Sequence, residues 1–184
     1  MNYKVLCLAA LTAISAISAR AFPIALPGTE GFTVLAGGTE AIIATYEGNS
    51  ASYSNDLYLE GFGFVFNNHA NAVGDTVNLG SFAIGTELLF RLHVNNTGDD
   101  FYTGPGALNE DGHAHARVQE NWLPGTTLVS FEDLYNGPFD YNDLSFSFTN
   151  TTSSQSSVPD SMSTLLGLTL AVGLMARFAR LSRR

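Results

Sequence analysis

Carboxylate side chains are concentrated in residues 131–148, where four acidic residues fall within twelve positions and no lysine or arginine occurs. The oxygen donors of this stretch are Glu132, Asp133, Asp140, Asn142 and Asp143. Calcium prefers such ligands and takes about six to eight oxygens at roughly 2.3–2.6 Å. Carboxylates held a few ångströms apart repel by about 1 kcal/mol per pair even in water, so a cation would relieve this loop. We therefore predict that these five residues bind Ca²⁺.

Two alternatives to calcium remain open from the residues alone. Arg117 is a rival charge partner that would neutralise the same carboxylates. The Asp and Asn side chains would otherwise cap backbone N–H groups of an acidic turn around Asn136-Gly-Pro138. The spacing D-x-D-x-D-G of an EF-hand is missing, so this is not that kind of calcium site.

A second candidate site is His113-Ala-His115. Alternate residues of a strand share a face, so both imidazoles would meet one transition metal. Arg117 falls on the same face, which opposes a cation and favours a hydrogen-bonded histidine. The acidic pairs also suit a glycosidase, but the chain has no nucleophile elbow or phosphate loop. We expect no catalytic residues, and a secreted metal-dependent hydrolase using both histidines is the least favoured function.

Short strands must hold these residues in place. Residues 86–94 place four apolar side chains on one face, which predicts a core strand: Leu88, Phe90, Leu92 and Val94. The full set of predicted strands is 32–35, 41–46, 57–60, 62–66, 76–82, 86–94, 114–119, 126–134 and 144–148. No helical pattern occurs between residues 22 and 157, so we expect an all-β fold, an antiparallel β-sandwich of the jelly-roll type.

Both ends of the chain have the pattern of processing segments. Residues 1–21 combine Lys4, an apolar run and an Ala19-Arg-Ala21 cleavage pattern, which predicts a signal peptide. The arginines after the apolar run at 162–176 predict a transmembrane helix whose C-terminal end is cytoplasmic. The expected order after the signal peptide is a β-sandwich domain at 22–149, a flexible polar linker at 150–157, and a sorting signal with an arginine-rich tail at 158–184.

The charge balance limits the partners of this protein. Residues 22–157 carry sixteen acidic and two basic side chains, a formal charge of −14. Such a segment repels nucleic acid and anionic lipid head groups, so we expect no nucleic-acid partner. The only cysteine, Cys7, lies in the predicted signal peptide, so the mature chain has no disulfide. Core packing and a bound cation are the remaining sources of stability.

The C-terminal segment begins with Val158, Pro159, Asp160 and Ser161. Together with the apolar run and the arginines, this order resembles the VPDSG variant of the PEP-CTERM sorting signals, with Met162 in place of the usual glycine. The resemblance implies an exosortase-type membrane protease as partner, which cuts near the motif during export. It also implies an inner-membrane-anchored precursor, and then display at the surface or in the matrix of a Gram-negative bacterium that makes exopolysaccharide.

Residues 111–148 are similar to the DUF4114 domain of secreted and surface proteins of bacteria. The matching segments are Asp111-Gly112, His115-Ala-Arg117, Phe131-Glu-Asp-Leu134 and Asp140-Tyr-Asn-Asp143. The loop between the last two is less glycine-rich than is usual in the family. No activity is established for that family, so the resemblance implies fold and calcium rather than a reaction.

These observations favour a non-catalytic protein that is exported to the cell surface or extracellular matrix and stabilised by Ca²⁺. The alternative is a carbohydrate-binding module of the exopolysaccharide matrix. Its sugar platform would be formed by Trp122, Tyr102 and Tyr135, because aromatic rings present broad apolar faces with a polar edge.

Overall fold

The computed structural model describes residues 21–155, which form three antiparallel β-sheets and no α-helix. The predicted all-β class is therefore confirmed. Within these residues no helix has the length and hydropathy to cross a bilayer. The predicted signal peptide, sorting motif and transmembrane helix lie outside the described residues. The strands are β1 (Phe32–Ala36), β2 (Ile42–Asn49), β3 (Asn55–Leu59), β4 (Gly63–Asn67), β5 (Thr76–Gly80), β6 (Glu87–Leu88), β7 (Phe90–Val94), β8 (Asp100–Tyr102), β9 (Ala116–Leu123), β10 (Thr126–Phe131), β11 (Leu144–Thr149) and β12 (Thr151–Gln155).

The two larger sheets enclose the core. The strand orders of the three sheets are β5-β2-β11-β10-β9, β4-β3-β7-β8 and β12-β1-β6. Phe90 of β7 stacks on Phe148 of β11 with ring centroids 4.1 Å apart, and Phe66 of β4 stacks on Phe146 at 5.9 Å. The alternate apolar residues predicted to face inward from residues 86–94 are all buried, so that prediction is confirmed.

The predicted strand at 86–94 is divided between two sheets. Its first part, β6, pairs with β1, whereas its second part, β7, pairs with β3 and β8. Leu89 separates the two parts, and the chain changes sheet there. The alternation of apolar residues is the same on both sides of Leu89, so only the long-range pairing distinguishes the two strands.

The prediction of a flexible linker over 150–157 is wrong for Thr151–Gln155, which forms β12. This strand pairs with β1 from Phe32↔Gln155 to Ala36↔Thr151. Asn150, at a φ of 58°, makes the tight turn from β11, a conformation that asparagine tolerates. Polarity misled the prediction because an edge strand needs backbone pairing with one neighbour and can keep polar side chains in water.

The segment before β1 crosses the outer face of the five-stranded sheet. Ala25 N–H donates to Ser130 Oγ of β10 at 2.8 Å, and Ala25 is buried. Phe22 packs directly on Gly48 of β2, where an added Cβ would collide with the phenylalanine side chain. Residues 22–30 therefore pack on Ser130 and Gly48, two positions at which a small residue leaves room for this segment on the sheet.

The aromatic contact between the sheets predicts a large stability loss for Phe148→Ala. Truncating a buried phenylalanine removes its transfer free energy and leaves a cavity, which costs about 3–5 kcal/mol. Urea unfolding of the full-length chain measures the change. Ile84→Ala is the control, since Ile84 is 69% exposed, and it should change the free energy of unfolding by less than about 0.5 kcal/mol. Equal losses for both variants would contradict the core assignment.

Candidate metal centre

The register of one hairpin brings three carboxylates together. β10 and β11 end as a pair at Phe131↔Leu144, so Glu132 directly follows one strand and Asp143 directly precedes the other. Asp133 N–H donates to Asp143 Oδ2 at 2.9 Å. One carboxylate oxygen from each of the three acids lies within 4.8 Å of the other two. The fold therefore clusters three of the five predicted ligands, and we call these three residues the acidic triad.

Burial makes the acidic triad electrostatically costly. Glu132 is 1% exposed and Asp133 is 3% exposed. Burial, followed by the charges of Asp143, Asp140 and Asp133, raises the pKa of Glu132 to about 7. Burial also raises the pKa of Asp143 to about 6, and the charges of Asp133 and Asp140 add to this effect. Either protons or a cation must therefore compensate these carboxylates near neutral pH.

Two buried oxygens at the triad have no hydrogen-bond partner among residues 21–155: Glu132 Oε2 and Asn55 Oδ1. Asn55 is fully buried at the start of β3, and its Nδ2 donates to Asp133 Oδ2 at 2.7 Å. An unsatisfied buried oxygen costs about 1–3 kcal/mol. Both atoms therefore call for a cation or an ordered water.

Asn55 is an oxygen donor that the sequence prediction missed. It lies 78 positions before Asp133, in the four-stranded sheet rather than in the hairpin. The only signal that pointed to it is the recurrence of Asn-Asp-Leu at residues 55–57 and 142–144. Its amide joins the two large sheets at the triad.

The other two predicted ligands stabilise the loop itself. Asp140 is exposed, and Asn142 Nδ2 donates to Asp140 Oδ2 at 2.6 Å. The amide oxygen of Asn142 accepts a hydrogen bond from Ser50 Oγ at 2.6 Å. The structure therefore does not bring Asp140 into the triad, and it uses the Asn142 oxygen elsewhere. Asn142 N–H also donates to Asp140 Oδ1 at 3.4 Å, which is the capping of a backbone N–H that the sequence left open as an alternative.

The two arginines of the described chain bind carboxylates outside the triad. Arg117 Nε donates to Glu30 Oε1 at 2.7 Å, and its guanidinium lies 4.2 Å from the ring centroid of Tyr141. Arg91 forms two ion pairs of 2.7 Å, with Glu60 and Asp100. The charge partner predicted for the acidic loop thus pairs with Glu30. Arg117 contacts the loop through the ring of Tyr141.

His115 hydrogen-bonds to the backbone at the start of the loop, and it does not form a metal site with His113. Its Nδ1 lies 3.1 Å from the Glu132 carbonyl oxygen, and its Nε2 lies 2.9 Å from Asp111 Oδ2. The buried ring also stacks on Phe101 at 4.0 Å. Both ring nitrogens are therefore engaged, whereas His113 is exposed.

The loop between β10 and β11 closes over Glu132 in a strained conformation. Asn136, Phe139 and Tyr141 have φ angles of 52°, 50° and 57°. Such left-handed conformations are uncommon for non-glycine residues, and strain of this kind clusters at functional sites. A Cβ added to Gly137 would collide with Glu132 Oε1, so the loop backbone lies directly on the carboxylate.

The three aromatic residues predicted to form a sugar platform do not share a surface. Trp122 lines a cavity of about 580 Å³ that is bounded by β2 and the segment before β1. Tyr102 and Tyr135 line a different cavity of about 420 Å³. A joint platform of the three rings is therefore absent from the described part of the chain.

No family model, no curated protein and no solved structure matches this chain. The resemblances to the DUF4114 domain and to the PEP-CTERM signals therefore stay predictions. Residues 21–155 thus define an all-β domain with a largely buried acidic triad at the end of a hairpin.

The raised pKa of Glu132 predicts that the chain loses stability as pH rises when divalent cations are absent. The folded-state pKa is about 7 and the ordinary value is 4.5. Between these values the folded state binds more protons, so the free energy of unfolding falls with pH. At pH 8 in EDTA, Glu132→Gln should be about 3 kcal/mol more stable than the wild type, and about equal to it at pH 4.

Urea unfolding of both chains at the two pH values measures this difference. Glu40→Gln is the matched control, because Glu40 is exposed and the substitution removes the same charge. If the stability difference between Glu132→Gln and the wild type did not change with pH, the raised pKa of Glu132 would be contradicted.

Proposed function

We propose that this chain is a non-catalytic protein of the cell surface or extracellular matrix, stabilised by one Ca²⁺ ion at the acidic triad. The observation that carries the proposal is the pair of unsatisfied buried oxygens, Glu132 Oε2 and Asn55 Oδ1, beside clustered carboxylates. Both described arginines are bound elsewhere. A cluster of carboxylates with no arginine or lysine of residues 21–155 bound to it supports a bound metal ion as its counter-charge.

The donor set fits calcium better than other common ions. Two oxygens on one Ca²⁺ ion lie at most about 5 Å apart, twice the usual bond length, and the triad oxygens lie within 4.8 Å of one another. Zinc prefers nitrogen and sulfur ligands, and His115 has no ring nitrogen to spare. Magnesium demands near-octahedral geometry and retains its waters. Glu132, Asp133, Asp143 and Asn55 would hold the ion, and it would supply positive charge rather than a reaction.

Calcium at this position would link the two large sheets. Glu132, Asp133 and Asp143 belong to the hairpin of the five-stranded sheet, and Asn55 begins β3 of the four-stranded sheet. An ion bound by both sheets would cross-link them. The predicted mature chain has no cysteine and therefore no disulfide that could do this. We further propose that the sheets form a jelly-roll-like β-sandwich, as in the DUF4114 domain that the sequence resembles.

Export is the second part of the proposal. The signal peptide pattern at 1–21, the motif Val158–Ser161 and the arginine-rich end support recognition by an exosortase-type protease. The charge of −14 over residues 22–157 also suits an extracellular site, where Ca²⁺ is abundant relative to the cytoplasm and would offset the self-repulsion. The exopolysaccharide matrix is the expected surrounding.

The burial of Glu132 and Asp133 supports a non-catalytic role. The glycosidase reaction needs two carboxyl groups that reach the substrate, but the loop backbone lies on Glu132 and Asp133 is 3% exposed. The same burial suits an ion that stays bound.

Calcium titration of the full-length chain tests the proposed site. The wild type should bind one Ca²⁺ in isothermal calorimetry and melt at a higher temperature with Ca²⁺ than with EDTA. At one hundred times the dissociation constant, binding adds about 2.7 kcal/mol to the free energy of unfolding. Glu132→Gln and Asn55→Ala should each lose most of this gain, because each removes a ligand oxygen.

Glu40→Gln again serves as the control and should keep the full calcium response. A wild-type melting temperature that is the same in Ca²⁺ and in EDTA would overturn the calcium proposal. So would a Glu132→Gln variant that responds to Ca²⁺ as strongly as the wild type.

The export proposal predicts that Pro159→Ala blocks removal of the C-terminal segment in the native host. Intact-mass measurement should find a shortened chain for the wild type, outside the inner membrane, and an unshortened membrane-bound chain for the variant. Ser156→Ala, two positions before the motif, should be processed normally. Identical masses for the wild type and Pro159→Ala would contradict the sorting assignment.

A further inference from the structure

The cavity beside Trp122 lies away from the acidic triad and has a mixed aromatic and amide lining. Its volume of about 580 Å³ is within the usual range of about 300–1,000 Å³ for small-molecule sites. The residues that matter for its chemistry are Trp122, Phe22, Glu47, Asn49, Asn68 and Asn71. Nothing in the proposed calcium role uses this cavity.

A strained bulge places Trp122 at the cavity. In the β9–β10 pairing, Gln119 lies opposite Leu128 and Leu123 lies opposite Thr126, so three residues of β9 face one residue of β10. Asn121, next to Trp122, has a φ of 52°. Bulges re-aim side chains near binding sites, and left-handed non-glycine residues mark positions where strain is retained. Thr127, opposite this bulge, lies at the shift in register between Thr126 and Leu128, and its hydroxyl is buried without a partner among residues 21–155.

The polar wall of the cavity is pre-positioned by hydrogen bonds. Ser147 Oγ donates to Glu47 Oε1 at 2.6 Å, which fixes the carboxylate at the cavity. Asn49 Nδ2 donates to Tyr46 Oη. Each of these two side chains retains an oxygen with no hydrogen bond to the described residues, and an amide also has a second N–H. The wall therefore offers both donors and acceptors from side chains that are already oriented.

A second part of the wall is held in the same manner. Asn71 Oδ1 accepts from Asn67 N–H at 2.9 Å, and its Nδ2 donates to Asp75 Oδ2 at 3.1 Å. Asn68 is 5% exposed and is fixed by Asn55 N–H, which donates to its Oδ1 at 2.8 Å. The amide-rich side is thus rigid, which lowers the entropic cost of binding a ligand.

The lining excludes several ligand classes. No lysine or arginine of the described chain lines the cavity, and the charge of −14 around it repels anions. Phosphates, nucleotides and acidic sugars are therefore disfavoured. A purely apolar ligand would leave the amides and Glu47 without partners, which costs free energy for each group. What remains is an uncharged ligand with many hydroxyl groups and an apolar face.

We propose that this cavity binds a neutral carbohydrate, with a sugar ring stacked on Trp122 and its hydroxyl groups bonded to Glu47, Asn49 and Asn71. A sugar hydroxyl both donates and accepts, which matches a wall that holds amides and a carboxylate. The C–H face of a pyranose is apolar and suits an indole ring. The assignment stands on the cavity alone and does not depend on calcium at the acidic triad.

The chain contains a single tryptophan, so its fluorescence reports directly on this cavity. The full-length protein is titrated with neutral gluco-, manno-, galacto-, xylo- and chito-oligosaccharides, in Ca²⁺ and again in EDTA. The expected result is a saturable shift in Trp122 emission with at least one of these sugars. No saturable shift with any of them in either buffer would overturn the proposal.

Calorimetry with the sugar that binds distinguishes a specific site from non-specific binding. Trp122→Ala and Asn71→Ala should each weaken binding by about tenfold or more, whereas Trp122→Phe keeps an aromatic face and should retain part of the affinity. Leu123→Ala is the control, since Leu123 is 51% exposed and does not line the cavity. Unchanged affinity in Trp122→Ala, or equally tight binding of an oligogalacturonate, would overturn the assignment. The melting temperature of each variant verifies that it is folded.

Discussion

Repulsion among the three clustered carboxylates of the acidic triad, two of them buried, is the constraint on which the rest of this structure depends. The register of β10 and β11 brings Glu132 and Asp143 together, and burial raises the pKa of both groups. A hairpin end that gathers like charges in the protein interior cannot rely on solvent to screen them. Folding and the binding of protons or a cation are therefore coupled at this one point.

The residues around the triad do not neutralise its carboxylates with an arginine or lysine side chain. Arg117 is bound to Glu30 and contacts the loop through the Tyr141 ring. His115 binds the backbone carbonyl of Glu132 rather than its carboxylate. These residues fix the shape of the loop, and the compensating charge is left to come from solution.

A line of buried amides connects the two candidate sites. Asp133 accepts from Asn55 Nδ2, and Asn55 N–H donates to Asn68 Oδ1 on the wall of the Trp122 cavity. The first bond joins the hairpin of the five-stranded sheet to β3 of the four-stranded sheet, and the second joins β3 to the turn after β4. The cavity is nevertheless complete without the ion, because its tryptophan and carboxylate come from other strands, β9 and β2.

Local patterns in the sequence were sufficient to predict the all-β class, the inward-facing side chains between Leu88 and Val94, and the clustering of Glu132, Asp133 and Asp143. In each case the determining residues are neighbours in the chain or lie across one hairpin. Tertiary structure alone decided that the chain changes sheet at Leu89, that polar residues 151–155 form a strand, and that Asn55 joins the triad. It also decided that Arg117 pairs with Glu30, 87 positions away. Alternation and charge are local properties, whereas strand pairing and ion pairing depend on which distant segments the folded sheets bring together.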